Sequence, residues 1–489
     1  MRNTIEKEKG MYAAFKAKDA RFDGRFFVGI SSTGIYCRPV CRAKMPKEEN
    51  CTFYATAAEA EQAGYRPCLL CRPELAPGQS ITDASAALAR KAARLLEESC
   101  GSGLSLDELA GRLGCSGRHL RRVFAEEYHI SPIQYLQTCR LLLAKNLLTD
   151  TDLPVLDVAM ASGFGSLSRF NDLFKKQYRM PPAALRKNRT KKGRHNGGLT
   201  LALSYRPPYL WDKILNFLAD RAIKGIDLVR DGEYWRTVCL KNSSGQRIFG
   251  WLKVGHAAEK NTLLITVSLS LLPVLSQILS RIRRLFDLYC DPETVYETLN
   301  IMNEVQPGLC VPGTRVPGCF DSFEMAVRTV LGQQITVKAA GTLAGRLVAA
   351  YGKQVETGIE GLTHVFPSPE DVVTLGENIE DCFGVLGIIA SRSRTIRALA
   401  LGLVTGDLTL DPTAQPEEEM KKLLNIRGIG SWSAQYIAMR AMEWPDAFLE
   451  TDAGIKKALD FRPPKEILKM AESWRPWRSY ATVNLWNTL

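Results

Sequence analysis

No apolar run in the 489-residue sequence approaches the roughly 20 residues that span a bilayer. The N-terminus, MRNTIEKEKG, is charged and lacks the apolar stretch of a secretory signal. Both absences lead to the expectation of a cytoplasmic chain in a reducing compartment, without a membrane partner. In that setting the thirteen cysteines are not expected to form a disulfide framework. A charge excess is missing from the back of the chain. Residues 196–489 carry 32 Lys+Arg against 32 Asp+Glu, whereas residues 1–195 carry 32 against 20. The whole net charge of +12 therefore sits in front, where it either suits a polyanion, most simply nucleic acid, or serves solubility alone. The hydrophobic content of 45% is ordinary for folded protein, and the length exceeds what one core can serve, so three or four domains are expected.

Cysteine is spaced unevenly. Cys37 and Cys41 form C-x3-C in "GIYCRPVCRAK", and Cys68 and Cys71 form C-x2-C in "RPCLLCRP". Two close pairs fit a tetrahedral thiolate zinc site, each pair clipping one side of the ion. The remaining cysteines sit singly, mostly in apolar contexts, and read as small core residues. A purely structural zinc would explain the pairs. Arg38, Arg42, Lys44, Arg66 and Arg72 crowd the same knuckles, however, and a site facing phosphate has more use for them.

The stretch "DGRFFVGISSTGIYCRPVCRAK" with "RPCLLCRP" resembles the N-terminal domain of the Ada family, over roughly residues 12–78. The resemblance implies one zinc ion held by Cys37, Cys41, Cys68 and Cys71. It makes Cys37 the acceptor that irreversibly takes a methyl group from methylphosphotriesters in DNA. It also places Thr33, Arg42, Lys44 and Arg66 at DNA-contacting positions, with Lys44 standing where arginine is usual. Zinc would keep the sulfur deprotonated, and only a thiolate is a competent nucleophile at neutral pH.

Further on, Ser105 and Glu108 have the spacing of a capping box, followed by Leu106, Leu109, Ala110 and Leu113 at helical intervals. After a turn at residues 114–116, a second helix is expected to bury Leu120, Val123 and Phe124 and to expose Arg118, Arg121 and Arg122. About 50 residues later the pattern returns with Val158, Ala159, Gly163, Phe170, Leu173 and Phe174, and with Arg169, Lys175 and Lys176 outward. Two helix-turn-helix units joined by a helix over roughly 131–148 suit consecutive turns of a major groove, although a generic helical bundle could show either half. Residues 82–188 resemble the AraC-type DNA-binding domain, which the Ada family carries in the same place. The resemblance implies promoter DNA and RNA polymerase as partners. His119 is expected to face solvent or contact backbone rather than to read a base.

A basic stretch within 186–198 reads as a linker. The Pro-Cys-His-Arg tetrapeptide of Ada's second methyltransferase occurs nowhere, so O6-alkylguanine repair by that route is not expected. Residues 199–285 hold β-branched and aromatic runs broken by turns, with a helix at about 208–219. They suggest a small antiparallel sheet acting as scaffold. From about 286 the pattern is helical to the end. In "LLNIRGIGSWSAQYIAMRAM" two helices flank a G-x-G hairpin, which exposes backbone N–H groups at a helix N-terminus, an anion site or a simple turn. Asp452 lies twenty residues after Trp432 and precedes a new helix, where a plain N-cap is the bland reading.

Together these motifs resemble the AlkA-type 3-methyladenine glycosylases of the helix-hairpin-helix superfamily, over 199–489. The resemblance implies that Asp452 is catalytic and that Trp432, Tyr436, Trp477 and Tyr480 belong to a base pocket. The amides around Gly428 and Gly430 would grip phosphate, and hairpin carbonyls would offer an alkali cation a site. Trp432 stands where strand-cleaving relatives carry a Schiff-base lysine, which implies a monofunctional enzyme. Gln334 occupies the place of the leucine wedge of some relatives. The iron–sulfur cysteines of other relatives are missing. The expected fold class is multidomain α+β. It comprises a zinc domain (1–78), an all-α double helix-turn-helix domain (82–188), a linker (189–198), an antiparallel sheet with helices (199–285) and an all-α helix-hairpin-helix domain (286–489). The expected protein senses methylated double-stranded DNA, activates transcription and excises N-alkylated purines; a regulator with a vestigial glycosylase is the alternative.

Overall fold

"FVGI" and "IYC" are short runs of strand formers separated by a turn in which Gly34 takes φ +63°. In the computed structural model they become β1 (Phe27–Ile30) and β2 (Ile35–Cys37), paired antiparallel with Val28 opposite Cys37. β3 (Cys51–Tyr54) flanks β1, and the two-residue β4 (Arg66–Pro67) runs parallel to β2, giving the order β3-β1-β2-β4. Phe15, Phe26, Val28 and Ile30 form a small core that also holds Cys37, Cys41 and Cys68. The structure describes residues 2–18, 22, 26–54, 60, 63–71, 73, 81–101, 105–187 and 198–489. Arg72 and nearly all of the expected linker lie outside the described residues.

Contacts divide the chain into two compact units, residues 1–95 with 105–135, and residues 96–104 with 136–489. The first helix-turn-helix belongs to the former and the second to the latter. Each consists of a seven-residue and a twelve-residue helix: Leu106–Arg112 with Gly117–Tyr128, and Val155–Ala161 with Leu167–Tyr178. The devices that set their ends repeat. Ser116 caps His119 N and Ser166 caps Arg169 N, while His129 and Arg179 end the longer helices in left-handed conformation. Gly163 has no alternative, since its φ is +81° and a Cβ there would lie 2.1 Å from the Cys100 carbonyl.

In the second unit β5 (Gly198–Ser204), β6 (Asp227–Arg230), β7 (Glu233–Lys241), β8 (Arg247–Ala257) and β9 (Thr262–Ser268) form an antiparallel sheet ordered β5-β9-β8-β7-β6. Along β5, Leu199, Leu201 and Leu203 are buried while Ala202 faces solvent, the period-2 pattern of a sheet with one covered face. Trp211, Ile214, Leu215 and Leu218 of helix Trp211–Ala219 are buried in the same cluster as Phe170 and Phe174 of the second helix-turn-helix. That helix begins three residues later than expected, after Pro207 and Pro208, which supply no N–H.

The remaining residues are helices around a second core, with one departure from the all-helical expectation. β10 (Lys353–Gln354) and β11 (His364–Val365) make a two-stranded ribbon. At the centre, helix Ser322–Leu331 is capped by Asp321 and buried along most of its length. It carries Glu324 and Arg328 into an ion cluster with the sheet: Arg236–Glu324 2.8 Å, Arg328–Glu324 2.7 Å and Arg328–Asp227 3.3 Å. No helix among the described residues is long and apolar enough to cross a membrane.

Candidate functional site

The end of β2 delivers Cys37, and the turn after it delivers Cys41. β4 leads into Cys68 and Cys71. The four Sγ atoms lie within 4.8 Å of one another, with Cys37, Cys41 and Cys68 buried and Cys71 half-buried. A tetrahedral Zn2+ with bonds of about 2.3 Å spaces its sulfurs at about 3.8 Å, so the set fits that ion. Its chemistry points the same way. Hydrogen bonding from Cys37 holds the Cys41 thiol down, and bonding to Cys41 pushes Cys37 upward, so thiols packed this closely oppose one another's ionisation unless a cation lies among them. Arg38 N donates to Cys71 Sγ at 3.4 Å. Arg42, Lys44, Arg66 and Thr33 are exposed, and Arg66 lies opposite Ile35 in the strand pair beside Cys37. On the first long helix of the helix-turn-helix pair, Leu120, Val123 and Phe124 are buried while Arg118, Arg121 and Arg122 are exposed. On the second, Arg169, Lys175 and Lys176 are exposed. His119 is half-buried and contacts Arg122 at 3.2 Å.

The second site begins at the hairpin between helices Pro416–Leu424 and Ser431–Arg440. Gly428 takes φ +96°, and a Cβ on it would meet Thr395 Oγ1 at 2.3 Å, so only glycine fits this turn. Gly430 caps the second helix, whose leading N–H groups have no partner within the helix. Thr395 donates to the Arg427 carbonyl at 2.8 Å, and Gln333 Nε2 donates to that of Gly428 at 2.8 Å and to Ser433 Oγ at 2.9 Å. Gln334, next in sequence, is exposed at φ +58°. A side chain held in the left-handed region costs on the order of 1–2 kcal/mol, which marks this turn as a site of stored strain.

Behind the hairpin lies a cavity of about 530 Å³, walled by Trp432, Tyr436, Trp486 and Asp452. Trp432 and Tyr436 stack with centroids 5.0 Å apart and planes 9° from parallel. Asp452 caps helix Ala453–Ala458 through Oδ1, which accepts from Ile455 N at 3.0 Å. The bland reading therefore holds but is incomplete. Trp486 Nε1 also donates to Oδ1 at 2.9 Å, and Trp432 Nε1 donates to Oδ2 at 3.0 Å. All three partners are donors, so the carboxylate is fixed as an acceptor at the cavity wall. Deeper in, Arg440 Nη1 donates to Tyr436 Oη at 2.6 Å. Burial pushes the Tyr436 phenol up, but Arg440 and Arg221 beside it outweigh burial and hold it below the ordinary tyrosine value.

Three expectations need correcting. Trp477 and Tyr480 do not line the cavity; Tyr480 is buried and donates to Asp287 at 3.2 Å, with Trp477 packed edge-on against it. Trp486 takes the aromatic place instead. The sheet segment is more than scaffold, because Leu218, Arg221 and Ile223 from it line the cavity.

The model of the AlkA N-terminal domain matches residues 200–321, that of the metal binding domain of Ada matches residues 10–74, and a helix-turn-helix domain model matches residues 109–188. The chain is 36% identical over 487 residues to a probable bifunctional transcriptional activator/DNA repair enzyme AlkA of Mycobacterium tuberculosis, covering 98% of this chain and 96% of the relative. It is 34% identical over 286 residues to DNA-3-methyladenine glycosylase 2 of Escherichia coli, covering 58% of this chain and 96% of the relative. Over 129 residues it is 39% identical to the bifunctional transcriptional activator/DNA repair enzyme Ada of Escherichia coli, covering 25% and 34% respectively.

Proposed function

Because the chain belongs to the family of AlkA-type bifunctional transcriptional activator/DNA repair enzymes, we propose that it excises N-alkylated purines from DNA and also takes methyl groups from DNA methylphosphotriesters. The observation that carries the first activity is Asp452, held by two indole N–H groups at the wall of an aromatic cavity. Alkylation at N3 or N7 leaves the purine positively charged and already a good leaving group. The protein must flip the nucleotide, which costs on the order of a few kcal/mol, and hold the base against Trp432, Tyr436 and Trp486. Aromatic faces contribute about 2 kcal/mol to binding a desolvated cation. The C1′–N bond breaks with its electron pair leaving on the base, and Asp452 faces the positive charge that grows on the sugar. Water then adds to C1′ and releases a proton, leaving an abasic site. Trp432 offers no amine, so the strand stays whole. Hairpin amides after Gly428 and Gly430 hold a DNA phosphate, Gln334 enters the stack as wedge, and hairpin carbonyls would offer an alkali cation oxygen ligands.

In the front domain, Cys37, Cys41, Cys68 and Cys71 would hold a zinc ion, which would keep their sulfurs as thiolates at neutral pH. Cys37 Sγ attacks the methyl carbon of a phosphotriester; the S–C bond forms as the C–O bond breaks, and the phosphodiester leaves as its anion. Thr33, Arg42, Lys44 and Arg66 orient the DNA backbone. Methylated, this domain binds promoter DNA together with Arg118, Arg121, Arg122, Arg169 and Lys175 of the two long helices, and recruits RNA polymerase in the cytoplasm. The functional division we assign is 1–78 for methyl transfer, 82–188 for promoter binding and 199–489 for excision. Methylated duplex incubated with the protein tests the excision reading. Free alkylated purines and alkali-labile sites are expected, with no breaks before alkali and no borohydride-trapped adduct; a trapped adduct overturns the monofunctional assignment.

A further inference from the structure

Three arginines line the cavity, and they differ in how their charge is answered. Arg328 is paired with Glu324 and Asp227. Arg221 and Arg440 have no carboxylate within ion-pair distance among the described residues, although Arg440 is only 3% exposed. Both guanidinium groups lie over the Phe217 ring, 3.7 Å and 4.7 Å from its centroid. Arg440 Nη2 donates to the Gly318 carbonyl at 2.9 Å and Nη1 to Tyr436 Oη, but its Nε is buried without an acceptor. Burying a guanidinium without a counter-charge is expensive, and an apolar side chain would be cheaper if packing were its whole purpose. That Nε is closed off from the cavity, but Arg221 and Arg440 still line it and give this part of the wall guanidinium donors with no carboxylate to answer them, a surplus that suits an acceptor arriving with the ligand.

Tyr436 extends that surplus. Arg440 occupies one lone pair of its oxygen, and Arg221 sits within hydrogen-bonding reach of the same atom. A phenol oxygen has two lone pairs and one hydrogen, so with guanidinium donors on its acceptor side the O–H points away from both. The wall formed by Arg221, Tyr436 and Arg440 therefore carries N–H and O–H donors, and the one carboxylate of the cavity lining, Asp452, stands with the two indoles. Alkylated purines differ in what they offer such a wall. A guanine-derived base carries a carbonyl oxygen at position 6, whereas an adenine-derived base carries an amino group that would meet donors with a donor. Arginine facing guanine O6 is the commonest specific arginine contact to a base.

We propose that Arg221 and Arg440, with the Tyr436 hydroxyl they clamp, are specificity-determining residues that favour alkylated purines with a 6-carbonyl over those with a 6-amino group. The inference rests on the glycosylase reading above. DNA containing both 3-methylguanine and 3-methyladenine tests it, because the two carry the same methyl group and charge and differ at the edge the wall faces. Full-length protein is incubated with that DNA in single turnover, and each release rate is divided by the spontaneous rate of the same base. The wild type is expected to give a guanine-to-adenine ratio above one. Arg221→Met and Arg440→Met should each lower that ratio about tenfold, whatever either does to the absolute rates. Arg221 is half-buried, so its variant carries the test if Arg440→Met fails to fold. A wild-type ratio below one overturns the proposal whatever the variants do, as does an unchanged ratio in a folded variant. If the wild type releases neither base, the glycosylase reading itself fails.

Discussion

Asp452→Asn separates the carboxylate's structural role from its chemical one. Asparagine is as good an N-cap as aspartate, so its oxygen can still accept from Ile455 N and Trp486 Nε1. The amide nitrogen then faces Trp432 Nε1, replacing a donor–acceptor pair at 3.0 Å by two donors. Losing that bond is worth about 1 kcal/mol, a change of about 2–4 °C in melting temperature. The chemical loss is larger. A carboxylate about 4–5 Å from the sugar cation, at an effective dielectric constant of about 20, stabilises it by about 4 kcal/mol. That corresponds to about 10²–10³ in rate. Single-turnover release of 3-methyladenine and 7-methylguanine, with affinity for abasic-site DNA measured alongside, reads both quantities. Release should slow by at least about 100-fold with affinity changed less than about threefold. Release within about fivefold of wild type would refute the placement of the sugar cation against Asp452.

Methylating Cys37 lowers a four-thiolate zinc cluster from −2 to −1, and one charge about 8 Å from a phosphate is worth about 0.5–2 kcal/mol. Promoter-fragment affinity of the full-length protein should rise several-fold after exposure to methylphosphotriester DNA, more so at low salt, and Cys37→Ser should abolish both transfer and rise; unchanged affinity at two salt concentrations contradicts the switch. Gln334→Ala should weaken binding to abasic-site DNA more than to intact duplex, and equal effects would remove Gln334 from the wedge role. Asp287 is half-buried, and loss of solvent around it pushes its carboxyl up to about 7 despite Arg315 and the bonds from Tyr480 and Val316. The folded state therefore holds this proton more tightly than the unfolded chain, so the site's contribution is present below about pH 4 and lost as pH rises through about 7. Relative to wild type, Asp287→Asn should gain about 2–3 kcal/mol of stability between pH 5 and pH 8, and a constant difference in melting temperature would contradict this.

Much of this was legible where chemistry or periodicity is local. Two cysteine pairs at clip spacing sufficed for the metal cluster, because tetrahedral thiolate sites are built from such pairs. Ser105 with Glu108 forms the expected capping box, and Leu120, Val123, Phe124, Phe170 and Phe174 are buried as their helical spacing requires. The aromatic wall was misread at the C-terminus, where Tyr480 and Trp486 share helix Arg478–Trp486. Six residues apart on one helix, they point about 120° away from each other, and which face meets the cavity is decided by tertiary packing. Arg221 comes from a sheet domain far back in the chain, and no local pattern reveals such an approach. Arg440 was within reach, since it follows Trp432 and Tyr436 at the i, i+4, i+8 spacing of one helix face. β6 escaped because four residues with two charged ends carry little strand signal.

Two alkylation chemistries are assigned to one chain, and one incubation tests both. Duplex DNA methylated with a labelled methyl group, on purines and on phosphates, is mixed with excess protein. Label is then followed into free bases and into protein, with the protein-bound methyl mapped by peptide mass. Label is expected in released purines without strand breaks, together with label on Cys37 that saturates at one methyl per chain. Release of bases with no label on Cys37, or labelled Cys37 with no base released, would contradict the claim that both sites work.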